Sequence, residues 1–488
     1  MTRTSQVSKK TTPLLIAILL TMAIACNSLA APNAPVVDTP HSEAKAFVPG
    51  DPTATPLGTD IIDPNFINGV AALDAKNYQE VMVLMSAVIE SNPNLAPPYR
   101  YRGLALLALQ DCDSALRDFE HALAINHNYA AAWAGRGISN ACLGNQPQAL
   151  KDYEKALSID PSLAFVHHNL GVYYYQLGDY EKSLDEYSLS VDIDPNRSGA
   201  WSGGAEALVK LGRYDECIAS ATKALEINSE EWLAYTDLAY CQDLTGNYLA
   251  AIDNYKAFLA HKSDDPQVWH NLGFAQHHAG IHEEAVNSYS KALELDSSYY
   301  PAYVNRGFEY VELEKYDEAL ADYNRALEFG DVPSAYSGRG DVYYGLQMYD
   351  LAIANYEKAI SLMPDRAHSY CMLALTYFEV DRYEDSLDFA KTSNQIDPSC
   401  GGQRLLEYQA RSYYALEDYE QAIMYMNQAL QLGEYSLGYY YRGTMYQSAG
   451  KKEAAIVDLS NFLMLITDAS TYEKEILDAQ ARLAELNP

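Results

Sequence analysis

The sequence predicts an all-α fold: a solenoid of about twelve helix-turn-helix hairpins, closed by one further helix. Three observations predict it. Small residues return every 34 positions, a glycine often ends the first apolar stretch of each period, and a proline often closes the second. The small residues are Gly69, Gly103, Gly137, Gly171, Ala205, Ala239, Gly273 and Gly307, which are seven consecutive steps of 34. Gly340, Ala374, Ala410 and Gly443 continue the series with a drift of one or two residues. Twelve positions after most of these comes another small residue, such as Ala115, Ala149, Ala285 or Ala319, and seven beyond that a third, such as Ala122, Ala156 or Ala326. A gap of seven returns to one helix face, where small side chains admit a neighbouring helix to the near end of the usual 8–10 Å range. The gap of twelve straddles a turn, as in Leu177-Gly178-Asp179-Tyr180 and Leu211-Gly212-Arg213-Tyr214, where glycine ends one helix and the next begins. Pro161, Pro195, Pro364 and Pro398 close second helices.

Taken in chain order, residues 1–25 read as a signal peptide: Arg3, Lys9 and Lys10 precede an apolar run, Leu14 to Ala25, too short to span a bilayer. Two cleavage sites compete. Ala23-Ile24-Ala25-Cys26 fits a bacterial lipobox in which Cys26 is lipidated, the reading adopted here, although Ala23 stands where leucine is usual. Ser28-Leu29-Ala30 fits an ordinary site that would extend the signal to residue 30. Residues 26–61 form a tether, rich in proline at Pro32, Pro35, Pro40, Pro49, Pro52 and Pro56, with a reach of roughly 30 Å as a coil. The hairpin array occupies 62–469 and the closing helix falls within 470–488, at residues 471–486. Beyond the N-terminal lipid or signal, no segment is apolar enough to contact a membrane by crossing it.

The array resembles the tetratricopeptide repeat family. The residues that carry the resemblance are an aromatic early in the first helix (Trp133, Trp201, Tyr235, Trp269, Tyr303), the small residue after it, and a tyrosine opening the second helix (Tyr180, Tyr214, Tyr248, Tyr316, Tyr349, Tyr383). The match covers most of the chain after the tether. It departs where Ser229, Ser263, Ser297 and Asp331 replace the closing proline, and at Gly401-Gly402, which reads as an insertion. The resemblance implies a right-handed superhelix with an inner wall lined by first-helix residues. The positions that map there are His168, Tyr175, Tyr240, His270, Phe274, His277, Phe308, Tyr344 and Phe378. Such a wall suits an extended protein or peptide with apolar anchors. A glycan or small ligand stacked on the rings, in a factor serving envelope assembly, is the alternative. The carboxylate clamp of one subclass is not reproduced: Asn169, Asn271 and Asn305 recur without the accompanying lysines and arginines.

Composition narrows the partners. With 34 Lys+Arg against 66 Asp+Glu, the formal charge of -32 excludes an extended contact with a phosphate backbone, so nucleic acid is not expected. The 41 tyrosines against 11 phenylalanines follow from the repeat, which wedges rings between helices with hydroxyls at the rim. His270, His277, His278 and His282 cluster along the chain, but no tight H-x3-H pair falls within one helix and no cysteine accompanies them, so ordinary wall or surface histidines are expected and no metal or cofactor is assigned. Six cysteines follow Cys26: Cys112, Cys142, Cys217, Cys241, Cys371 and Cys400. Pairing in sequence order spans slightly less than one repeat, with Cys112–Cys142 the best candidate; buried small hydrophobes are the alternative. There is no P-loop, nucleophile elbow or HExxH, and carboxylate pairs such as Asp185-Glu186 and Glu283-Glu284 fall on solvated faces. The expected role is therefore a non-enzymatic interaction scaffold in the cell envelope. Nothing in the sequence sets an oligomeric state.

Overall fold

The structure, a computed structural model, describes residues 63–466 and 471–487. The signal at 1–25, Cys26 and the tether at 26–61 lie outside these residues. The described residues form twenty-five α-helices: twelve antiparallel hairpins, from Pro64–Asp74 with Tyr78–Ser91 to Ser436–Ser448 with Lys452–Leu465, and a closing helix Glu473–Leu486. The protein is thus an all-α solenoid of paired helices. It divides into two compact units, one up to Ala275 and one from Gln276.

Each hairpin turns through a residue in the left-handed region. Gly178 does so at φ 77°, its N–H bonding Tyr175 at 2.9 Å while Asp179 N–H bonds Tyr174 at 3.0 Å, which satisfies the last carbonyls of the first helix. Six turns lack glycine, and there Lys76, Gln110, Glu314, Gln347, Asp381 and Glu417 hold φ between 57° and 63°. A side chain in that region costs on the order of 1 kcal/mol, so hairpin packing sets the turn and glycine only eases it. Asp111, Asp179 and Asp418 cap the helices that follow, each accepting a hydrogen bond from a backbone N–H three residues on.

The 34-residue small position has a partner that periodicity alone does not show. Sixteen residues after it, on the second helix, stands a ring: Phe119, Tyr153, Tyr187, Tyr255, Tyr289, Tyr323 or Tyr356, each less than 2 % exposed. In the amino-terminal unit, Phe119 is wedged between Gly103 of its own hairpin and Gly135 of the next, and Tyr187 between Gly171 and Gly203. In the carboxy-terminal unit Tyr323 sits in the same way between Gly307 and Gly338. A methyl group on any of these six glycines would stand less than 3.0 Å from the ring, so the glycines are demanded by packing. The expectation that tyrosine hydroxyls reach the rim needs correcting. Those of Tyr153 and Tyr323 are sealed in with no hydrogen-bond partner among the described residues, because the ring enters end-on, and burial pushes both phenols well above their usual range. The Tyr356 hydroxyl does find Asp341, at 2.8 Å.

Ala319, fully buried on the helix Tyr316–Leu327, lies in a core cluster with Val304, Tyr323, Ala326, Ala335 and Val342. Replacing it with leucine is expected to cost roughly 1–3 kcal/mol by overpacking. Urea denaturation of Ala319→Leu checks this, and an unchanged midpoint would mean that no tight contact exists there.

A second device joins the two helices of a hairpin through charge. Arg102 and Asp118 form a two-point pair at 2.8 Å, as do Arg306 and Asp322 at 2.7 Å; Arg136–Asp152 and Arg442–Asp458 repeat the arrangement. Each arginine lies over the aromatic three residues before it: Tyr99, Trp133, Tyr303 and Tyr439. Arg102, Arg306 and Arg442 also donate to the preceding hairpin, at Ser86, Ser290 and Asn427. One side chain thereby fastens two hairpins.

Two of the three cysteine pairs are disulfides, Cys112–Cys142 and Cys217–Cys241, with Cα atoms 6.2 and 6.5 Å apart. Each links a second helix to the first helix of the following hairpin, and closing loops of this length contributes about 3 kcal/mol apiece. Cys371 and Cys400 are buried and not disulfide-bonded. The closing helix buries Ala479 and receives a 2.9 Å hydrogen bond from Tyr440 at Asp478, while Leu477 stays exposed.

Candidate interaction surface

The nine expected wall residues separate into two groups. Tyr175, His277, Phe308 and Phe378 are half-buried and present part of a ring to solvent. His168, Tyr240, His270, Phe274 and Tyr344 are buried. This corrects the expectation for those five: they fill the space between helices, as when the His168 ring meets Tyr187 edge-on at 5.4 Å, and so brace the wall from within. Burial also pulls the His270 imidazole down to about 4, which keeps it neutral. Asn169, Asn271 and Asn305 are likewise buried, which places them inside the packing and away from a ligand's backbone.

A repeated ring pair marks the hairpin turns. The last turn of the first helix and the first residue of the second meet edge to face: Tyr175 with Tyr180 at 5.3 Å in the amino-terminal unit, then Tyr344 with Tyr349 at 5.8 Å and Phe378 with Tyr383 at 5.6 Å in the other. His277 and His282 occupy the same place with centroids 5.9 Å apart. There the carboxylate of Glu309, 1 % exposed, lies 2.6 Å from His277 Nδ1 and 2.8 Å from His282 Nδ1. The Glu309 contact raises the His282 pKa, chiefly through that hydrogen bond. Glu309 lies 27 residues after His282 and was not singled out from the sequence.

Around Phe378 the surface changes character. Tyr408 packs on it with centroids 4.6 Å apart, and the Arg411 guanidinium lies over Phe378 at 4.7 Å and over Tyr441 at 4.6 Å. Arg411 is held by Glu407 at 3.1 Å, and Glu407 also accepts from the Tyr435 hydroxyl at 2.7 Å. Tyr408 in turn donates to Glu379 at 2.6 Å. These bonds fix the arginine in one pose while leaving part of it accessible, which lowers the entropy lost on contact with a partner. An open recess of ≈ 350 Å³ lies near the turn of the preceding hairpin, lined by Gln347, Met348, Tyr349, Asp350, Leu351 and Val380. Met348 and Leu351 are exposed there, beside the polar Gln347 and Asp350. Sequence reading placed Phe378 and missed Arg411 and Met348, because neither recurs with the repeat.

Family models described as tetratricopeptide repeat match residues 164–197, 204–231, 245–300, 300–329 and 409–432, and one described as TPR repeat matches 142–178 and 340–381. No curated protein matches the chain. Among solved structures, the chain is similar to Cut9 with Hcn1, the APC/C hetero-tetramer, at 13 % identity and a TM-score of 0.43, covering 86 % of this chain and 95 % of that one. It is similar to a tetratricopeptide repeat protein from Parabacteroides merdae at 21 % identity and a TM-score of 0.38, covering 51 % and 99 %. The yeast Tom70 structure aligns at 17 % identity and a TM-score of 0.35, covering 86 % and 95 %.

Proposed function

The chain is a tetratricopeptide-repeat protein carrying multiple repeats, and from that premise we propose that it is a tethered scaffold that holds an extended segment of another protein. General protein binding is the role of such repeats. The finer reading is that the segment docks beside Phe378, with an apolar residue in the Met348–Leu351 recess and an acidic or carbonyl group on Arg411. The single observation that carries it is the pairing of a solvent-facing Phe378 with the braced Arg411 in a chain whose formal charge is -32. A fixed cation on so acidic a molecule discriminates strongly among approaching groups.

The reading extends to place. Anchoring through a lipid on Cys26, with residues 26–61 as the tether, would set the array at the outer face of a membrane. The N-terminal sequence supports this, and so do the two disulfides, since such bonds persist in oxidising compartments. The test is retention of partners from an envelope extract on immobilised protein, comparing wild type with Phe378→Ala/Arg411→Ala. A discrete protein retained at least tenfold less by the variant, with circular dichroism unchanged, is expected. Equal retention would remove this site, and saturable glycan binding with no retained protein would favour the alternative role.

A further inference from the structure

We propose that His277, His282 and Glu309 bind a divalent transition metal of the zinc class. The three donors come from two successive hairpins of the carboxy-terminal unit, and their ligand atoms all lie within 4.8 Å of one another. Donors about 2.1 Å from a common tetrahedral centre stand roughly 3.4 Å apart, so small rotamer adjustments suffice to admit an ion. Two imidazole nitrogens and one carboxylate are a donor set for zinc, and for nickel, cobalt or copper(II) in the same class.

The contact itself argues for shared ligation. His277 Nδ1 lies 2.6 Å from Glu309 Oε1, and His282 Nδ1 lies 2.8 Å from Glu309 Oε2. One carboxylate thus already gathers both imidazoles by the nitrogens that would ligate an ion. Glu309 is 1 % exposed, and a carboxylate so buried costs several kcal/mol unless a strong positive charge faces it. A divalent ion held between the three side chains would answer that charge. The histidine side chains keep 22 % and 32 % exposure, so the site opens to solvent on one side, where water or a partner's group can complete the coordination.

The repeats provide an independent comparison. At the position of His282, the first residue of the second helix, eight hairpins carry tyrosine: Tyr78, Tyr180, Tyr214, Tyr248, Tyr316, Tyr349, Tyr383 and Tyr419. At the position of Glu309, two residues after the small position, the other eleven hairpins carry no charge, as at Ala105, Ala207, Ala275, Val342 and Thr376. Two departures from the repeat thus meet beside His277, and all three residues supply a metal-binding atom. Packing needs neither departure, since the other hairpins are built without them.

The experiment is calorimetric titration of ZnCl2 into the full chain after removal of metal with EDTA, with melting temperatures read alongside. Wild type is expected to take up one zinc ion with a micromolar or tighter Kd and to melt at a higher temperature when loaded. His282→Ala, at the rim of the site, is expected to weaken binding at least tenfold and abolish the shift, and Glu309→Gln to do the same. Should Glu309→Gln fail to fold, His282→Ala alone decides. Uptake no tighter than millimolar, or an affinity unchanged in His282→Ala, would overturn the site and leave Glu309 as a carboxylate held by contacts with the two histidines alone.

Discussion

Asp322→Ala is expected to destabilise the protein by about 3–5 kcal/mol, the cost of breaking a largely buried ion pair by removing one partner. Asp322 takes two hydrogen bonds from Arg306 at 2.7 Å, and the arginine stays only 18 % exposed over Tyr303 and Tyr310. Without the carboxylate, the guanidinium keeps Ser290 as a poor substitute and its charge is unanswered. The chain contains its own control. The preceding hairpin has Leu272 and Ser288 where this one has Arg306 and Asp322. Arg306→Leu with Asp322→Ser is therefore expected to recover most of the loss, because an apolar contact substitutes well for a buried ion pair even though removing half of that pair does not. Urea denaturation of the single and double variants measures both. A double variant no better than Asp322→Ala would show that the pair is required for more than its charge balance.

The second large effect is a pH dependence. Asp243 on the helix Trp232–Leu244 is 3 % exposed, neither carboxyl oxygen has a hydrogen-bond partner among the described residues, and burial pushes its pKa up to about 8. The folded protein therefore holds this proton up to about pH 8, whereas the unfolded chain releases it near 4. Between those values the folded state binds the extra proton, so stability falls as pH rises, then levels off above 8 and below 4. Asp243→Asn removes the dependence. At about 1.4 kcal/mol per pH unit, the variant's advantage over wild type is expected to grow by roughly 4 kcal/mol from pH 5 to pH 8.5. His270, buried and neutral, acts the other way, losing stability as pH falls from its unfolded value toward about 4, but it is common to both proteins and cancels in the difference. Parallel stability curves for the two proteins would mean that Asp243 ionises freely in the fold.

What could be read from the sequence was whatever repeats. The step of 34 located all twelve hairpins, since the small position and its neighbours recur wherever a helix pair must pack on the next. The wedged rings behind that step, Phe119 and Tyr323 among them, became visible only when Gly135 and Gly338 of the following hairpins were seen against them. The wall was harder. Tyr175 and Tyr344 hold equivalent repeat positions, yet one is half-buried and the other lies in a core cluster, where Arg404 donates to its hydroxyl from 60 residues away. Periodicity cannot express such a contact. Glu309 was missed for the same reason, since it breaks the pattern at a point where its histidine neighbours lie on the previous hairpin.

The two covalent links between hairpins carry a kinetic consequence. In an array whose modules touch mainly their neighbours, loosening spreads along the chain one junction at a time. A bond from Cys112 to Cys142, or from Cys217 to Cys241, is a junction that cannot part by thermal motion alone. Fraying that starts at the amino-terminal end should stall at the first of them, and a protease should leave a ragged product that ends there until a reductant lets the unravelling proceed.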